Sequence, residues 1–374
     1  MINDTSTKAH LGCRIVVSQI TSLAASVGIR IAATASVHTD WRKHDGLLDL
    51  MRSADLVIVN GEGTLHDSTH SAHALAEVGP FCQGAGVPSV LMNTVYQRND
   101  SKIASDCQAF DRIYARESRS AKAMRDVGLR AEVVPDLTLS SEAMSELIKL
   151  PKSSTIITTD NANGDSFSRI KRVAVARSDV SFLHLDGSEP ANPFADNSSL
   201  PECVYTDAGR LDRAGPPELR KNPLFRPLRK SLFKPKMLGH MRMERELRKP
   251  QSTSEILAKI ASSRGVVAGR FHAMCMAMLA ARPFAAMSSN TYKVEGLLED
   301  ADLAHLITND PHEAYRKVEE WNDEDSFSIA AYVQKAKDKA KAMFAEVSSL
   351  SIAPTVAGPI LYLQDCFGFD FLLG

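Results

Sequence analysis

The last third of the sequence carries two polar turns whose residue types suit an anion. In the first turn, Arg270 and His272 stand at the start of residues 271–281, a run that is apolar nearly all round. This pattern predicts a buried helix. Amide groups and the dipole at a helix N-terminus attract phosphate or carboxylate. The alternative is that Arg270 is a charge at a strand end and His272 a hydrogen-bonded core histidine.

The second turn repeats this device. Residues 288–290, which include Ser289 and Asn290, can cap a helix predicted to begin near Tyr292. Lys293 falls in the first turn of that helix, where a cation is unfavourable unless an anion joins it. Two successive turns of this character predict one anion site.

The composition bounds the class of protein. The chain has 374 residues, which predicts two domains, and its 44 Lys and Arg balance 45 Asp and Glu. Overall charge therefore predicts neither a nucleic-acid binder nor a membrane-surface protein. The six cysteines show no Cys-x-x-Cys spacing, and the first ten residues are too polar for a signal peptide. We therefore expect a cytoplasmic protein with reduced cysteines and no zinc site.

Apolar strands and helices alternate from residue 28 to residue 136, after a helix predicted at residues 14–27. This order predicts an α/β domain, residues 1–150, with a doubly wound parallel sheet. A strand at residues 29–33 and a helix at residues 72–84 belong to the pattern. Only Met1 and Ile2 are available for a strand before the first helix, so that strand is either vestigial or trimmed.

Ligands of such sheets bind beyond the carboxyl ends of the strands. The polar residues predicted at that rim are Asn60, Glu62, His66, Asn93, Tyr96, Arg116 and Asp136. The glycine turn at residues 60–64 fits neither a dinucleotide fingerprint nor a phosphate loop of the Gly-Lys-Ser/Thr type, so a structural turn is the preferred interpretation. His66, His70 and His73 lack further ligands to complete a metal site, so no metal is predicted.

A second α/β domain is predicted over residues 151–350, where a strand at residues 155–159 leads into a polar turn that begins at Asp160. It contains a basic loop or arm, residues 207–250, with thirteen Lys or Arg against four acidic residues between 210 and 249. Such a run is usually solvated. The alternative is an arm that contacts an anionic acceptor or the diphosphate of a lipid carrier at a membrane. The tail, residues 351–374, is predicted to pack back across the domains.

Three blocks of sequence resemble the polysaccharide pyruvyl transferase family. They are VIVNGEGTLH at residues 57–66, YARESRS at 114–120 with VPD at 134–136, and GRFHA at 269–273 with ARPF at 281–284 and KVEGL at 293–297. The agreement runs over roughly residues 10 to 305, and the Arg-x-His block is its most specific part. The resemblance implies two Rossmann-like domains in a GT-B-like arrangement with a cleft between them. It also implies transfer of a pyruvyl group from phosphoenolpyruvate to two sugar hydroxyls as a ketal.

The resemblance implies that Arg270 and His272 occupy the donor-binding and acid positions and that Arg116 is an interdomain arginine. Phosphoenolpyruvate carries a carboxylate and a phosphate, so it needs several fixed cations. The predicted donor-binding residues are Arg270, His272, Arg116, Lys293, Ser289 and Asn290, and the predicted catalytic residues are His272, Arg270 and Asp160. Asp160, Glu62 and Asp136 all stay open as the base. No metal or cofactor is expected beyond phosphoenolpyruvate as co-substrate.

The resemblance assigns the acceptor to the first domain, where the predicted contacts are Asn60, Glu62, His66, Asn93 and Tyr96. Residues 93–97 replace a Gly-Pro segment that many family members have. The acceptor sugar, its hydroxyl pair and its linkage to lipid therefore stay open. Two other functions also stay open: a GT-B glycosyltransferase that uses a nucleotide sugar, and a non-catalytic binder of anionic glycans.

Overall fold

The computed structural model describes residues 1–8, 10–37, 39–161, 163–186, 204–205 and 251–351. The predicted basic arm, the tail beyond residue 351, Cys203 and Cys366 lie outside these ranges. The other four cysteines, Cys13, Cys82, Cys107 and Cys275, are buried and free. Within the described residues, no helix has both the length and the apolar character needed to cross a membrane.

The first sheet has seven strands in the order β6-β5-β4-β3-β1-β2-β9, and every pair is parallel. Its strands are β1 (Ile2–Asp4), β2 (Thr34–Ser36), β3 (Val57–Glu62), β4 (Ser89–Thr94), β5 (Arg112–Ala115), β6 (Glu132–Val133) and β9 (Val204–Tyr205). The first strand is therefore present, and it lies between β2 and β3.

The strand predicted at residues 29–33 is displaced in the structure. Residues 29–33 are not in a strand, and β2 begins at Thr34. Strand β1 is only three residues long, and its Ile2 lies opposite Ala35. Strand β1 therefore pairs with residues 34–36, and the apolar residues 29–33 precede that strand.

The second sheet has four parallel strands in the order β11-β10-β7-β8. They are β7 (Ile156–Thr159), β8 (Val180–Leu183), β10 (Gly265–Ala268) and β11 (Phe284–Ala286). The predicted fold class, two Rossmann-like parallel α/β sheets, is confirmed. Strand β9 pairs with β2 of the first sheet although it follows β8 in sequence. The boundary at residue 150 stays a prediction.

The helices flank the two sheets and connect their parallel strands. They are α1 (Leu11–Ser26), α2 (Asp45–Ser53), α3 (His70–Ala76), α4 (Val78–Ala85), α5 (Ser101–Cys107), α6 (Ser118–Asp126), α7 (Gly164–Ala174), α8 (Thr253–Ser262), α9 (Phe271–Leu279), α10 (Lys293–Asp300), α11 (Pro311–Glu319) and α12 (Asp323–Leu350). The single helix predicted at residues 72–84 is in fact two, α3 and α4. Pro80 has no amide hydrogen to donate to Ala76, which favours a break between them.

Helix α12 packs against both halves of the molecule. Its first part contributes Tyr332 and Ala336 to the core of the second sheet. Its last part contributes Met343 and Phe344 to a cluster with residues of the first sheet and α1. This one helix therefore helps to fix the two sheets relative to each other.

Candidate active site

The carboxyl ends of strands from both sheets meet at one place. Arg116 follows β5 of the first sheet, and its guanidinium carbon lies 4.6 Å from the ring centroid of Phe271, the first residue of α9. On the other side, His10 pairs with Asp186 in an antiparallel bridge, and Leu11 N donates to Leu185 O at 2.8 Å. The site is therefore built from segments that follow strands of both sheets.

His272 lies at the centre of this site, in the first turn of α9. Its side chain is buried, and its Nε2 has no hydrogen-bond partner among the described residues. Burial lowers the pKa of His272 to about 4, against the opposing effect of Asp136, and Arg116 lowers it further. A Cβ on Gly12 would lie 2.0 Å from His272 Cγ, so only glycine lets α1 approach this ring. The imidazole is thus a neutral, tightly packed group that a bound anion would help to protonate.

Arg116 and Asp136 form a buried ion pair beside His272. Arg116 Nη1 donates to Asp136 Oδ2 at 3.2 Å, and Thr138 N donates to Asp136 Oδ1 at 2.9 Å. Burial opposes ionisation, yet His272 and Arg116 hold the pKa of Asp136 below its usual value. The Nε of Arg116 has no partner within the described part of the chain. Arg116 is therefore a fixed cation with a donor to spare.

Lys293 stands in the first turn of α10, as predicted. Its Nζ donates to Asn290 Oδ1 at 2.9 Å, and Ser289 Oγ donates to the same oxygen at 3.1 Å. Burial, and then the charge of Arg116, lower the pKa of Lys293 to about 7. The predicted cap by residues 288–290 is wrong, because Tyr292 is the N-cap residue and makes no side-chain cap. Asn290 binds the lysine instead.

Arg270 is held by Asp160 across the ends of β10 and β7. Its Nε donates to Asp160 Oδ2 at 2.9 Å and its Nη2 donates to the same oxygen. Asp160 raises the pKa of Arg270, so the guanidinium is a permanent cation. The Nε2 of His184 lies 3.7 Å from that oxygen. The second oxygen, Oδ1, is buried without a partner among the described residues. The ion pair orients Arg270 and leaves Asp160 one oxygen for another donor.

Strand β10 approaches β7 so closely that Gly269 has no room for a side chain. A Cβ there would lie 2.3 Å from the carbonyl oxygen of Asp160 and 2.9 Å from its carbonyl carbon. Because backbone cannot yield as a side chain can, we expect Gly269→Ala to destabilise the protein by about 1–3 kcal/mol. The midpoint of urea unfolding measures this.

The matched control is Gly84→Ala. Gly84 lies in helix α4, and a Cβ there would meet nothing within 4 Å. This change should be neutral or stabilise by up to ~1 kcal/mol, since alanine favours helix. Equal unfolding midpoints for the two variants would contradict the close approach of the strands.

Asn60 and Glu62, predicted to contact the acceptor, form a buried network at the end of β3. Asn60 Nδ2 lies 3.4 Å from Glu62 Oε1, which also accepts from Thr5 Oγ1. Glu62 Oε2 accepts from Cys13 Sγ at 3.3 Å. Glu62 adopts a φ of 38°, a left-handed conformation that turns the chain at the strand end. These residues line the base of the site, but their polar atoms are largely engaged by the protein.

Tyr96 and Asn93, both predicted to contact the acceptor, are buried at the carboxyl end of β4. The side chain of Tyr96 is 2 % exposed and packs in the hydrophobic core of the first domain, so its contact with the acceptor stays a prediction. The chain turns inward after β4, where Tyr96 N donates to Ser120 Oγ at 2.8 Å. Asn93 is equally buried, and its Oδ1 accepts from Leu137 N at 3.0 Å. Asn93 therefore holds the chain after β6.

His66 lies apart from the buried network of Asn60 and Glu62, and its side chain is partly exposed. Its Nδ1 is 2.7 Å from Asp67 Oδ2. It lines a cavity of about 310 Å³ together with Lys8, Gly63 and Thr64. This cavity lies beyond the carboxyl ends of β1, β2 and β3, where a parallel sheet binds ligands.

Sequence reasoning missed His10, His184 and Asp186. His10 has its ring centroid 5.3 Å from that of His272. His184 Nδ1 lies 3.2 Å from Asp186 Oδ2, and Asp186 raises the pKa of His184. His184 and Asp186 follow the carboxyl end of β8, at the same sheet edge as Asp160, whereas the bridge to Asp186 brings His10 to the site.

A sequence model of the polysaccharide pyruvyl transferase family matches residues 15–291. The chain belongs to this family. The predicted resemblance is therefore confirmed, and the family indicates a transferase. No curated protein matches the transferase significantly.

Solved structures resemble the transferase only distantly. S. aureus MnaA, solved with UDP, covers 93 % of the chain and 95 % of its own, at 10 % identity and a TM-score of 0.49. The match to an uncharacterised protein, KP1_0663, from Klebsiella pneumoniae subsp. pneumoniae NTUH-K2044 covers 82 % of this chain and 89 % of that one, with 11 % identity and a TM-score of 0.42. The match to the UDP-GlcNAc 2-epimerase of Methanocaldococcus jannaschii covers 82 % of this chain and 88 % of that one, with 8 % identity and a TM-score of 0.40. At such identities these likenesses say nothing about substrate.

Proposed function

We propose that this transferase moves a pyruvyl group from phosphoenolpyruvate onto two hydroxyls of a sugar in a polysaccharide or its precursor, forming a ketal. The observation that carries the proposal is the setting of His272. This imidazole has an unpartnered nitrogen, and the charges of Arg116 and Lys293, which come from different domains, act on it. Such a setting suits a substrate that brings negative charge and needs a proton.

The donor explains the number of cations. Phosphoenolpyruvate carries a carboxylate and a phosphate on neighbouring atoms, and both need fixed positive charge. Arg270, Arg116 and Lys293 supply it from the ends of β10 and β5 and from the first turn of α10. Ser289 and Asn290 place Lys293 through hydrogen bonds. These five residues would form the donor side of the site.

The chemistry begins at the methylene carbon of the donor. Protonation of that carbon makes the adjacent carbon electrophilic, and His272 is the residue placed to give the proton. In the unliganded protein its pKa of about 4 keeps the ring neutral at pH 7. The negative charge of the donor favours the imidazolium, so donor binding should bring the proton with it. One sugar hydroxyl then adds, phosphate leaves, and the second hydroxyl closes the ketal.

Of the three carboxylates left open as the base, the contacts favour Asp160. Asp136 accepts from Arg116 and Thr138, and Glu62 accepts from Thr5 and Cys13. Asp160 alone of the three has an oxygen, Oδ1, that is buried and unpartnered within the described residues. That oxygen would accept a hydrogen bond from an acceptor hydroxyl.

The acceptor would enter from the first domain, through the cavity that His66 and Lys8 line. The hydroxyl groups of Thr64 and Ser71 in its lining would bind hydroxyls of the sugar. The basic arm, residues 207–250, would contact the anionic part of a lipid-linked acceptor at the inner face of the membrane, as in synthesis of an exopolysaccharide or another cell-envelope polymer. The protein itself would be cytoplasmic.

Ligand-dependent melting tests the proposal. Phosphoenolpyruvate should raise the melting temperature, because a ligand that binds only the native state stabilises it. Nucleotide sugars should not. Incubation with phosphoenolpyruvate and a panel of sugars should then give products that carry the added pyruvyl mass less water. Stabilisation by a nucleotide sugar alone would identify a glycosyltransferase. Binding of anionic glycans without turnover of any donor would identify a non-catalytic protein.

A further inference from the structure

The proposed reaction moves two protons, and the site holds two adjacent imidazoles. In ketal formation both acceptor hydroxyls lose a proton. One of these protons ends on the methyl carbon of the product and the other on the released phosphate. His272 accounts for the first transfer. A second carrier lets the proton of the first hydroxyl reach the phosphate separately from the proton that His272 delivers to the carbon.

His10 stands where a second carrier is needed. Its ring centroid lies 5.3 Å from that of His272, and the two ring planes are 55° apart. The Nδ1 of His10 and the Nε2 of His272 are both buried, and neither has a hydrogen-bond partner among the described residues. An unsatisfied buried nitrogen costs stability, so two of them side by side call for a functional explanation.

The position of His10 is fixed by its backbone rather than by its side chain. His10 is the N-cap residue of α1, yet its side chain makes no cap hydrogen bond. Its main chain pairs with Asp186, which belongs to the second domain. Two residues further on, Gly12 lets the first turn of α1 contact the ring of His272. The imidazole of His10 is therefore held beside His272 with no structural hydrogen bond of its own at Nδ1.

We propose that His10 is the second proton carrier of the reaction, a role that rests on the proposed function. Protonated His272 gives its proton to the methylene carbon, and the first hydroxyl oxygen bonds to the adjacent carbon while its proton passes to His10. The bond from that carbon to the phosphate oxygen then breaks. Its electron pair leaves with the phosphate, which takes the proton from His10. The second hydroxyl oxygen closes the ketal while Asp160, the base of the proposed function, takes its proton and returns it to His272. Both histidines end as they began.

The charges around His10 and His272 support these separate roles for the two histidines. The groups that act on His10 are His272, Asp186, Glu62 and Arg270, and those that act on His272 are Asp136, Arg116, Lys293 and Lys8. Burial, and then the neighbouring His272, lower the pKa of His10 to about 3. His10 is therefore neutral at pH 7, and a proton that it receives would pass readily to the phosphate. His272, which faces Asp136, is the one placed to be protonated first.

Two substitutions test the proposal on the full chain. His10→Gln removes the exchangeable imidazole proton but keeps a polar side chain, and His10→Phe keeps an aromatic ring against His272 without a nitrogen. Both should lower kcat for phosphate release by about 10²-fold or more, as loss of a general acid–base group does. The KM for phosphoenolpyruvate should stay within about threefold, because neither change removes a donor-binding cation. The pH profile of kcat should lose one of its two limbs.

The outcomes distinguish the proton-carrier role of His10 from the proposed function of the protein. His312, exposed in α11, supplies the control His312→Gln, which should behave as the wild type. If His10→Phe keeps most of the activity, the ring acts only by packing and the carrier role is overturned. If His10→Gln keeps the wild-type pH profile, the role is overturned as well. The melting temperature and the donor-induced shift of each variant show whether it is folded and binds the donor. A wild-type protein that neither binds nor turns over phosphoenolpyruvate would overturn the proposed function itself.

Discussion

We expect His272→Ala to lower kcat for phosphate release from phosphoenolpyruvate by about 10³-fold and to leave the fold intact. The loss would follow from removal of the proposed acid, a contribution that typically lies between about 10² and 10⁴. The fold survives because Nε2 of His272 has no partner among the described residues that would be left unsatisfied. We expect the free energy of unfolding to change by less than about 2 kcal/mol.

Imidazole supplies a direct check on the chemical role. The Ala substitution opens a space beside Gly12, since a Cβ on that residue would lie 2.0 Å from His272 Cγ in the wild type. Added imidazole should enter this space and restore part of the activity. The control variant His312→Ala should keep wild-type activity, and added imidazole should not change it. Full activity of His272→Ala, measured as phosphate release with an acceptor present, would sink the assignment of the acid.

Arg116→Met should destabilise the protein by about 3–5 kcal/mol, the largest effect on stability that we expect. The change leaves Asp136 fully buried and without its cation, and an uncompensated buried charge costs this much. Because the wild-type pKa of Asp136 is depressed, the pair contributes stability above the unfolded-state pKa of about 3.9 and loses it as the pH falls. In the variant the pKa of Asp136 should rise, so its deficit should shrink as the pH falls from 7 towards 4.

Urea unfolding at several pH values measures both effects. The matched double variant Arg116→Met with Asp136→Asn removes the buried charge together with its partner, and it should recover much of the lost stability. A single variant as stable as the wild type at pH 7 would show that the ion pair is unimportant. An additive double variant would show that the two side chains do not interact.

The sequence predicted the alternation of strands and helices because the buried elements are mostly apolar. Residues 265–268 and 284–286 are short, fully buried strands, and α9 between them is buried on nearly all sides. The Arg-x-His pattern at Arg270 and His272 was readable for the same reason: two polar residues interrupt an apolar stretch where the chain enters a helix. Both side chains lie at the site, as predicted.

Features that depend on contacts between distant segments were not predictable. Tyr96 looked like a residue of the rim, but the chain turns inward after β4 and buries its side chain. Asn290 looked like a cap, but it binds Lys293. His10 gave no local signal at all, since its place beside His272 depends on a bridge to Asp186, far away in sequence. Spacing along the chain shows which residues can do chemistry, but only the tertiary fold shows which of them meet.

Helix α12 covers apolar surface of the first sheet that is synthesised long before the helix itself. Its residues Ala340, Met343, Phe344 and Val347 cover apolar side chains of the first sheet and α1, such as Ile58 and Val16. The ribosome makes these covering residues after the described strands of both sheets. The apolar face of the first sheet that they cover therefore stays exposed until α12 has been synthesised.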